Sequence, residues 1–327
     1  MKFASLKTSN REGELLLVSR DLSKAVSVAT IIPHMQGLLE NWQEVTPLLL
    51  PLYERLNKNE VAEAFAFDPK AVSAPLPRAH QFVDASAFLN HGNIMERAYN
   101  LSVKKTEGVA ILVQRQSDDF RGPCEDYEFP TEDDQCDFEG EFAVITDEIK
   151  MGSSPAQAQD CIRLVTILND VSMRKHLFRE LAMGFGLINA KPATVFAPVA
   201  VTPDELGDAW HNGRVALDMC VERNGQWFGN PNGREMDWSF GELLAHLAYN
   251  RHLRAGTVLG SGTVSSRDYE TVGSACLAEQ RAVETIAQGK ALTDFMHFNE
   301  VLRFEVKDKE GSSIFGAIEH RFIKSVA

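Results

Sequence analysis

The chain has 327 residues, 44% of them hydrophobic and 24% charged, which is enough apolar content to bury a sizeable core in one large domain or two unequal ones. A formal net charge of −13 argues against nucleic acid and anionic membrane surfaces as partners, because a phosphate backbone selects a basic face. No apolar run approaches the roughly 20 residues of a membrane helix, and residues 1–21 hold no signal-peptide core. Five scattered cysteines without CxxC spacing read as reduced thiols, so the expectation is a cytoplasmic protein.

In chain order, Lys2 to Leu6, a polar turn from Thr8 to Gly13, and Leu15 to Val18 predict a hairpin. Leu38, Leu39, Trp42, Val45, Leu48, Leu49, Leu52 and Leu56 recur at three- and four-residue steps and predict a helix over 34–57, with Pro47 and Pro51 inside the pattern. Pro69 to Pro77 carries three prolines in nine residues and reads as an extended linker. A boundary near residue 75 would separate a small N-terminal domain, 1–75, from a larger one, 76–327. Ser154-Pro155 with Gln157, Thr202-Pro203, and Ser239 with Glu242 are helix starts, and Asn224-Gly225 is a hairpin turn. Short strands, many turns and few helices predict an α+β chain with an antiparallel β-rich core rather than βαβ units. There is no GxGxxG or P-loop to hold a nucleotide.

Acid is concentrated in one stretch: Glu125 to Glu148 contains eleven Asp or Glu and no Lys or Arg. Most of these suit a solvated loop, but Glu139 and Glu141 interrupt an apolar strand pattern, Asp137-Phe138-Glu139-Gly140-Glu141-Phe142-Ala143-Val144. On a strand they project side by side, with Phe138, Gly140 and Phe142 on the other face. Adjacent carboxylates repel unless a positive charge lies between them, and a hard divalent cation prefers oxygen ligands. An exposed acidic edge strand is the alternative.

Other candidates are weaker alone. Asp170 ends the apolar run Leu164 to Asn169, where a turn cap would also fit. Asp84, His91 and Lys191 are isolated chemistry-bearing residues, and Gly260-Ser261-Gly262-Thr263-Val264-Ser265 is a permissive turn able to approach a ligand closely.

In order along the chain, Asp84 with His91, Glu139-x-Glu141, Asn169-Asp170-Val171-Ser172-Met173-Arg174, Lys191, and Ser261-Gly262-Thr263-Val264-Ser265 resemble the fumarylacetoacetate hydrolase family over roughly residues 76–327. The first 75 residues resemble the small N-terminal domain of its longer bacterial members. The resemblance implies a mixed β-roll catalytic domain, usually dimeric, and a divalent metal, Mg²⁺ or Ca²⁺ with Mn²⁺ as a further option, on Asp84, Glu139, Glu141 and Asp170. It implies His91 as general base. Its carboxylate partner would be Glu279, with Glu284 as the rival. Lys191 would stabilise developing negative charge, Thr263 and the Gly262 backbone would hold a substrate oxygen, and Arg97 would meet a distal carboxylate. The implied reaction is hydrolysis of a carbon–carbon bond in a β-diketo acid, fumarylacetoacetate first, with acylpyruvate hydrolysis or 2-oxo acid decarboxylation, hydration or isomerisation as alternatives. The segment Val113-Gln114-Arg115-Gln116 departs from the family pattern, which bears on the substrate pocket.

Overall fold

A computed structural model describes residues 1–100 and 107–326. The expected hairpin forms from β1 (Lys2–Leu6) and β2 (Glu14–Val18), and β3 (Lys24–Ser27) and β4 (Phe65–Ala66) extend it. These strands are not a separate sheet. Together with β5 (Gln81–Ala85), β6 (Leu112–Arg115), β7 (Gly140–Thr146), β8 (Ile162–Asn169), β9 (Val195–Phe196), β10 (Ala200–Val201) and β11 (Thr257–Gly260) they build one eleven-stranded sheet. Its order is β4-β3-β2-β1-β10-β8-β7-β11-β5-β6, with β9 on β8. Antiparallel pairing dominates, and β11 on β5 is the parallel exception. A second, five-stranded sheet runs Gln226–Gly229, Cys220–Arg223, Val301–Glu305, Ile318–Lys324 and Tyr127–Phe129. The turn at Asn224-Gly225 joins its first two strands, both residues at positive φ as such a hairpin requires.

The helix predicted over 34–57 is two: α1 (Met35–Glu40) and α2 (Trp42–Asn57), separated at Asn41 with φ −121° and ψ 29°. Asn41 Nδ2 donates to the Gly37 carbonyl at 2.9 Å and closes the first helix. Pro47 and Pro51 lie within α2, where the Thr46 hydroxyl meets the Trp42 carbonyl at 2.7 Å. The predicted linker is also corrected. Pro69–Ala71 is a 3₁₀ turn, Val72 bridges Leu6, and Ser73 N–H donates to Ser5 O at 3.0 Å. Val72, Ala74 and Leu76 are buried, so the proline-rich stretch is pinned along β1 instead of spanning solvent.

β7 shows how the sheet divides two cores. All seven of its residues are buried. Phe142 and Val144 pack with Phe138 into one apolar cluster, and Ala143 and Ile145 pack into the other, which also takes Phe3, Leu15 and Leu49 from the N-terminal segment. Glu139 and Glu141 share the parity of the second set. They extend an apolar face with two carboxylates at the strand's entrance. Helices α3 (Leu89–Tyr99), α4 (Pro155–Gln159), α5 (Arg174–Met183), α6 (Phe240–Leu247) and α7 (Leu277–Gln288) surround the sheets. Ser154 and Ser239 form complete capping boxes with Gln157 and Glu242, devices that stabilise a helix by about 1 kcal/mol. Among the described residues no helix is long and apolar enough to cross a membrane. All five cysteines are free.

Candidate active site

Strand ends deliver three carboxylates to one point. Asp84 lies near the end of β5, Glu141 near the start of β7, and Asp170 directly after β8. β11 runs between β5 and β7, placing Gly260 opposite Asp84. A Cβ at Gly260 would stand 2.6 Å from Asp84 Oδ1 and 2.7 Å from Glu141 Oε2, so the carboxylates occupy the space a side chain would need. The Gly262 N–H then donates to both, at 3.1 Å each. One oxygen from each of Asp84, Glu141 and Asp170 lies within 4.8 Å of the others.

Three buried carboxyls so close cannot all be comfortably ionised. Burial and the neighbouring Asp170 charge push Asp84 up to about 6. Burial, then Asp84 and Asp170, raise Glu141 well above the usual carboxylate range. Glu141 Oε1 has no hydrogen-bond partner among the described residues. An oxygen-only donor set with an unmatched buried oxygen fits a hard divalent cation.

Glu139 is placed differently from the expectation. Its Oε1 receives Ser172 Oγ at 2.6 Å and Lys191 Nζ at 2.8 Å, Arg174 Nη2 stands 2.8 Å from it as an ion pair without hydrogen-bond geometry, and Thr263 Oγ1 donates to Oε2. Burial alone would raise its pKa, but the Lys191 and Arg174 charges overcome that and hold it well below the usual range. Glu139 thus sits beside the carboxylate triad as the anion of an ion-paired network. Lys191 joins the two groups, reaching Asp170 Oδ2 at 2.7 Å, and these two carboxylates raise its pKa against the opposing effect of burial. Thr263 and Gly262 are likewise committed to protein carboxylates, because the turn that carries them closes onto β7, with Val264 N–H on Gly140 O at 3.0 Å.

His91, in the first turn of α3, places Nδ1 2.8 Å from Oε2 of Glu279, which is fully buried in the first turn of α7. The rival Glu284 instead accepts the Leu292 and Thr293 N–H groups at 2.6 and 2.8 Å. Arg97 is exposed, and six residues along a helix turn it about 120° away from His91, so the two do not converge.

Sequence reasoning left several partners unassigned. Arg115, in the segment that departs from the family pattern, is buried, donates to Asp170 Oδ1, and holds the Lys191 carbonyl at 2.9 Å. A lone arginine ending the run Leu112-Val113-Gln114 was its signal. Arg174 and Ser172 stand in the quoted motif after Asp170. Asn169 accepts the Glu139 N–H at 3.0 Å and contacts His320 Nε2 at 3.1 Å.

Comparison with known proteins places this geometry in a family. The model described as fumarylacetoacetate (FAA) hydrolase C-terminal matches residues 81–323, and that described as fumarylacetoacetase N-terminal domain 2 matches residues 1–78. Curated proteins of Burkholderia multivorans and Burkholderia lata, which carry only provisional hydrolase names, are 28% identical over 145 residues, 43% of this chain and 49% of theirs. The chain therefore spans about half the length of the curated relatives it matches. Among solved structures, a maleylpyruvate hydrolase from Sphingobium sp. SYK-6 with manganese(II) and pyruvate superposes at TM-score 0.66 with 13% identity over 100% of both chains. A fumarylacetoacetate hydrolase from Exiguobacterium antarcticum gives 0.63 and 17% over 99% of this chain and 100% of its own. A 5-carboxymethyl-2-hydroxymuconate delta-isomerase from Mycobacterium smegmatis gives 0.61 and 15% over 100% of both. At these identities the likeness establishes the fold.

Proposed function

Since the chain belongs to the fumarylacetoacetate hydrolase family, whose enzymes include hydrolases and isomerases, we propose that it is a divalent-metal-dependent hydrolase of a carbon–carbon bond in a β-diketo acid, with fumarylacetoacetate, cleaved to fumarate and acetoacetate, as the first substrate to test. The observation that carries this reading is the His91–Glu279 pair. A carboxylate that accepts Nδ1–H leaves the Nε2 lone pair free, which is the arrangement of a base that takes a proton from water.

Asp84, Glu141 and Asp170 would hold the cation, Mg²⁺ or Ca²⁺, with Mn²⁺ equally suited to the oxygen donors. When bound, the cation supplies Lewis-acid stabilisation to the oxygens of the diketo acid and of the departing enolate. The remaining steps fall to the protein. His91 Nε2 removes a proton from water, and the hydroxide adds to the carbonyl carbon. Lys191 has three N–H donors and, among the described residues, two carboxylate partners, so one donor is left for the tetrahedral oxyanion. The carbon–carbon bond then breaks with its electron pair going to the enolate, and the proton held by His91 is available to that carbon.

A second reading, isomerisation of a 2-oxo acid, draws support from the isomerase among the similar structures. It moves a proton between carbons and consumes no water. One experiment separates the two: loss of the diketone ultraviolet absorbance with Mg²⁺ or Mn²⁺ and again with EDTA, with products identified by mass. EDTA-sensitive formation of fumarate supports hydrolysis. A product of unchanged mass supports isomerisation.

The same reading carries a cytoplasmic homodimer, for which the exposed Phe178, Leu181, Met183, Phe185 and Ile188 offer an apolar surface. It also keeps a unit boundary near residue 75, although the sheet is continuous across it.

A further inference from the structure

We propose that Asp137 is a positioning residue that fixes the His91–Glu279 pair against the Glu139 network, an inference that rests on the hydrolase reading above. Asp137 is fully buried, and among the described residues its side chain bonds to Arg174 and to the start of α7. Oδ1 accepts the Leu277 N–H at 2.8 Å, and Oδ2 accepts the Ala278 N–H at 2.9 Å. These are the first two residues of α7, and the third is Glu279. A carboxylate at this end of a 12-residue helix meets both unpaired N–H groups and the positive end of the helix dipole. The next N–H, that of Glu279, goes to Cys276 Sγ at 3.3 Å. Sulfur is a weak acceptor, so Asp137 supplies the strong anchor of this turn.

Oδ2 also receives Arg174 Nε at 2.8 Å, while the same guanidinium stands 2.8 Å from Glu139 Oε1. Asp137 and Glu139 themselves are two residues apart on one extended segment, and Glu139 bridges Cys276 through the backbone. One carboxylate therefore sets both the helix that presents Glu279 to His91 and the arginine that holds Glu139. Among the described residues its side chain bonds to neither His91 nor the carboxylate triad, and its effect on catalysis runs through Glu279.

The test compares Asp137→Asn, Glu279→Gln and the double variant in the full chain. The expected result for Asp137→Asn is a fall in kcat of about tenfold or more, with KM and Mn²⁺ affinity changed by less than about threefold. Combined with Glu279→Gln it adds little, because both act through one pair. An activity-free readout accompanies this: the rate at which diethylpyrocarbonate acylates His91, followed by mass spectrometry of its peptide, shifts in Asp137→Asn toward the Glu279→Gln value. Multiplicative effects on kcat, or a His91 acylation rate equal to wild type, would overturn the proposal. If Asp137→Asn fails to fold, the paired Asp137→Asn/Arg174→Met variant removes both buried charges and takes its place. If the wild type hydrolyses no diketo acid, the hydrolase reading fails, and the acylation rates still decide whether Asp137 positions His91.

Discussion

His91 Nδ1 and Glu279 Oε2 meet at 2.8 Å although the two residues are 188 positions apart, each in the first turn of its own helix. Glu279 is fully buried and His91 is 23% exposed, so the pair joins the interior to the solvent side of the site. Replacing His91 with Ala, or Glu279 with Gln, is expected to lower kcat by about 10²- to 10⁴-fold while Mn²⁺ binding measured by titration calorimetry persists. Full activity in either variant would remove the base from the mechanism.

Gly260 gives a steric test of the carboxylate triad. Gly260→Ala places a methyl group within 2.6 Å of Asp84 Oδ1 and 2.7 Å of Glu141 Oε2, and both side chains must move. Mn²⁺ affinity and activity should fall together by about tenfold or more, with the circular dichroism spectrum unchanged. Unaltered affinity would mean that these oxygens do not hold the cation.

Cation binding should release protons. Asp84 is raised to about 6 and Glu141 well above the usual carboxylate range, so both bind protons at pH values where an ordinary carboxylate is bare. Ligation requires the ionised form. Mn²⁺ affinity is therefore expected to rise with pH through about 6 and beyond. Calorimetry in two buffers of different ionisation enthalpy measures the protons released, and a pH-independent affinity with no released proton is the contrary outcome.

His320, whose Nε2 lies 3.1 Å from the Asn169 side chain, makes the fold sensitive to acid. It is 2% exposed, and burial lowers its pKa from 6.5 to about 4. The unfolded chain binds a proton there that the folded chain refuses, so stability is complete above about pH 6.5 and is lost as pH falls toward 4. The full loss is about 3 kcal/mol. Urea unfolding at pH 7 and pH 5 should show a smaller difference for His320→Gln than for wild type.

Local signals were legible in the sequence because they act over a few residues. The capping boxes at Ser154 and Ser239, the Asn224-Gly225 turn and the odd–even division of the strand carrying Glu141 all appear in the structure. The break at Asn41 was hidden because α1 and α2 keep one apolar rhythm across it. The site was legible as a set of residues and not as a set of pairings. Glu139 and Glu141 are the same residue type on the same face, yet Lys191, 52 positions away from Glu139, draws the first into an ion pair and leaves the second among carboxylates. Arg115 and Asp137 lacked assignments for the same reason: their partners, Asp170 and the start of α7, are 55 and 140 positions distant.

The parallel pairing of β11 with β5 also sets a timetable for biosynthesis. Gly262 is 178 positions beyond the Asp84 it contacts. At ordinary translation speeds the ribosome needs on the order of ten to forty seconds to cover that interval. During that time Asp84 waits without the backbone that will hold it. The emerging chain thus lacks the backbone donor of its proposed cation cradle until synthesis has passed Gly262.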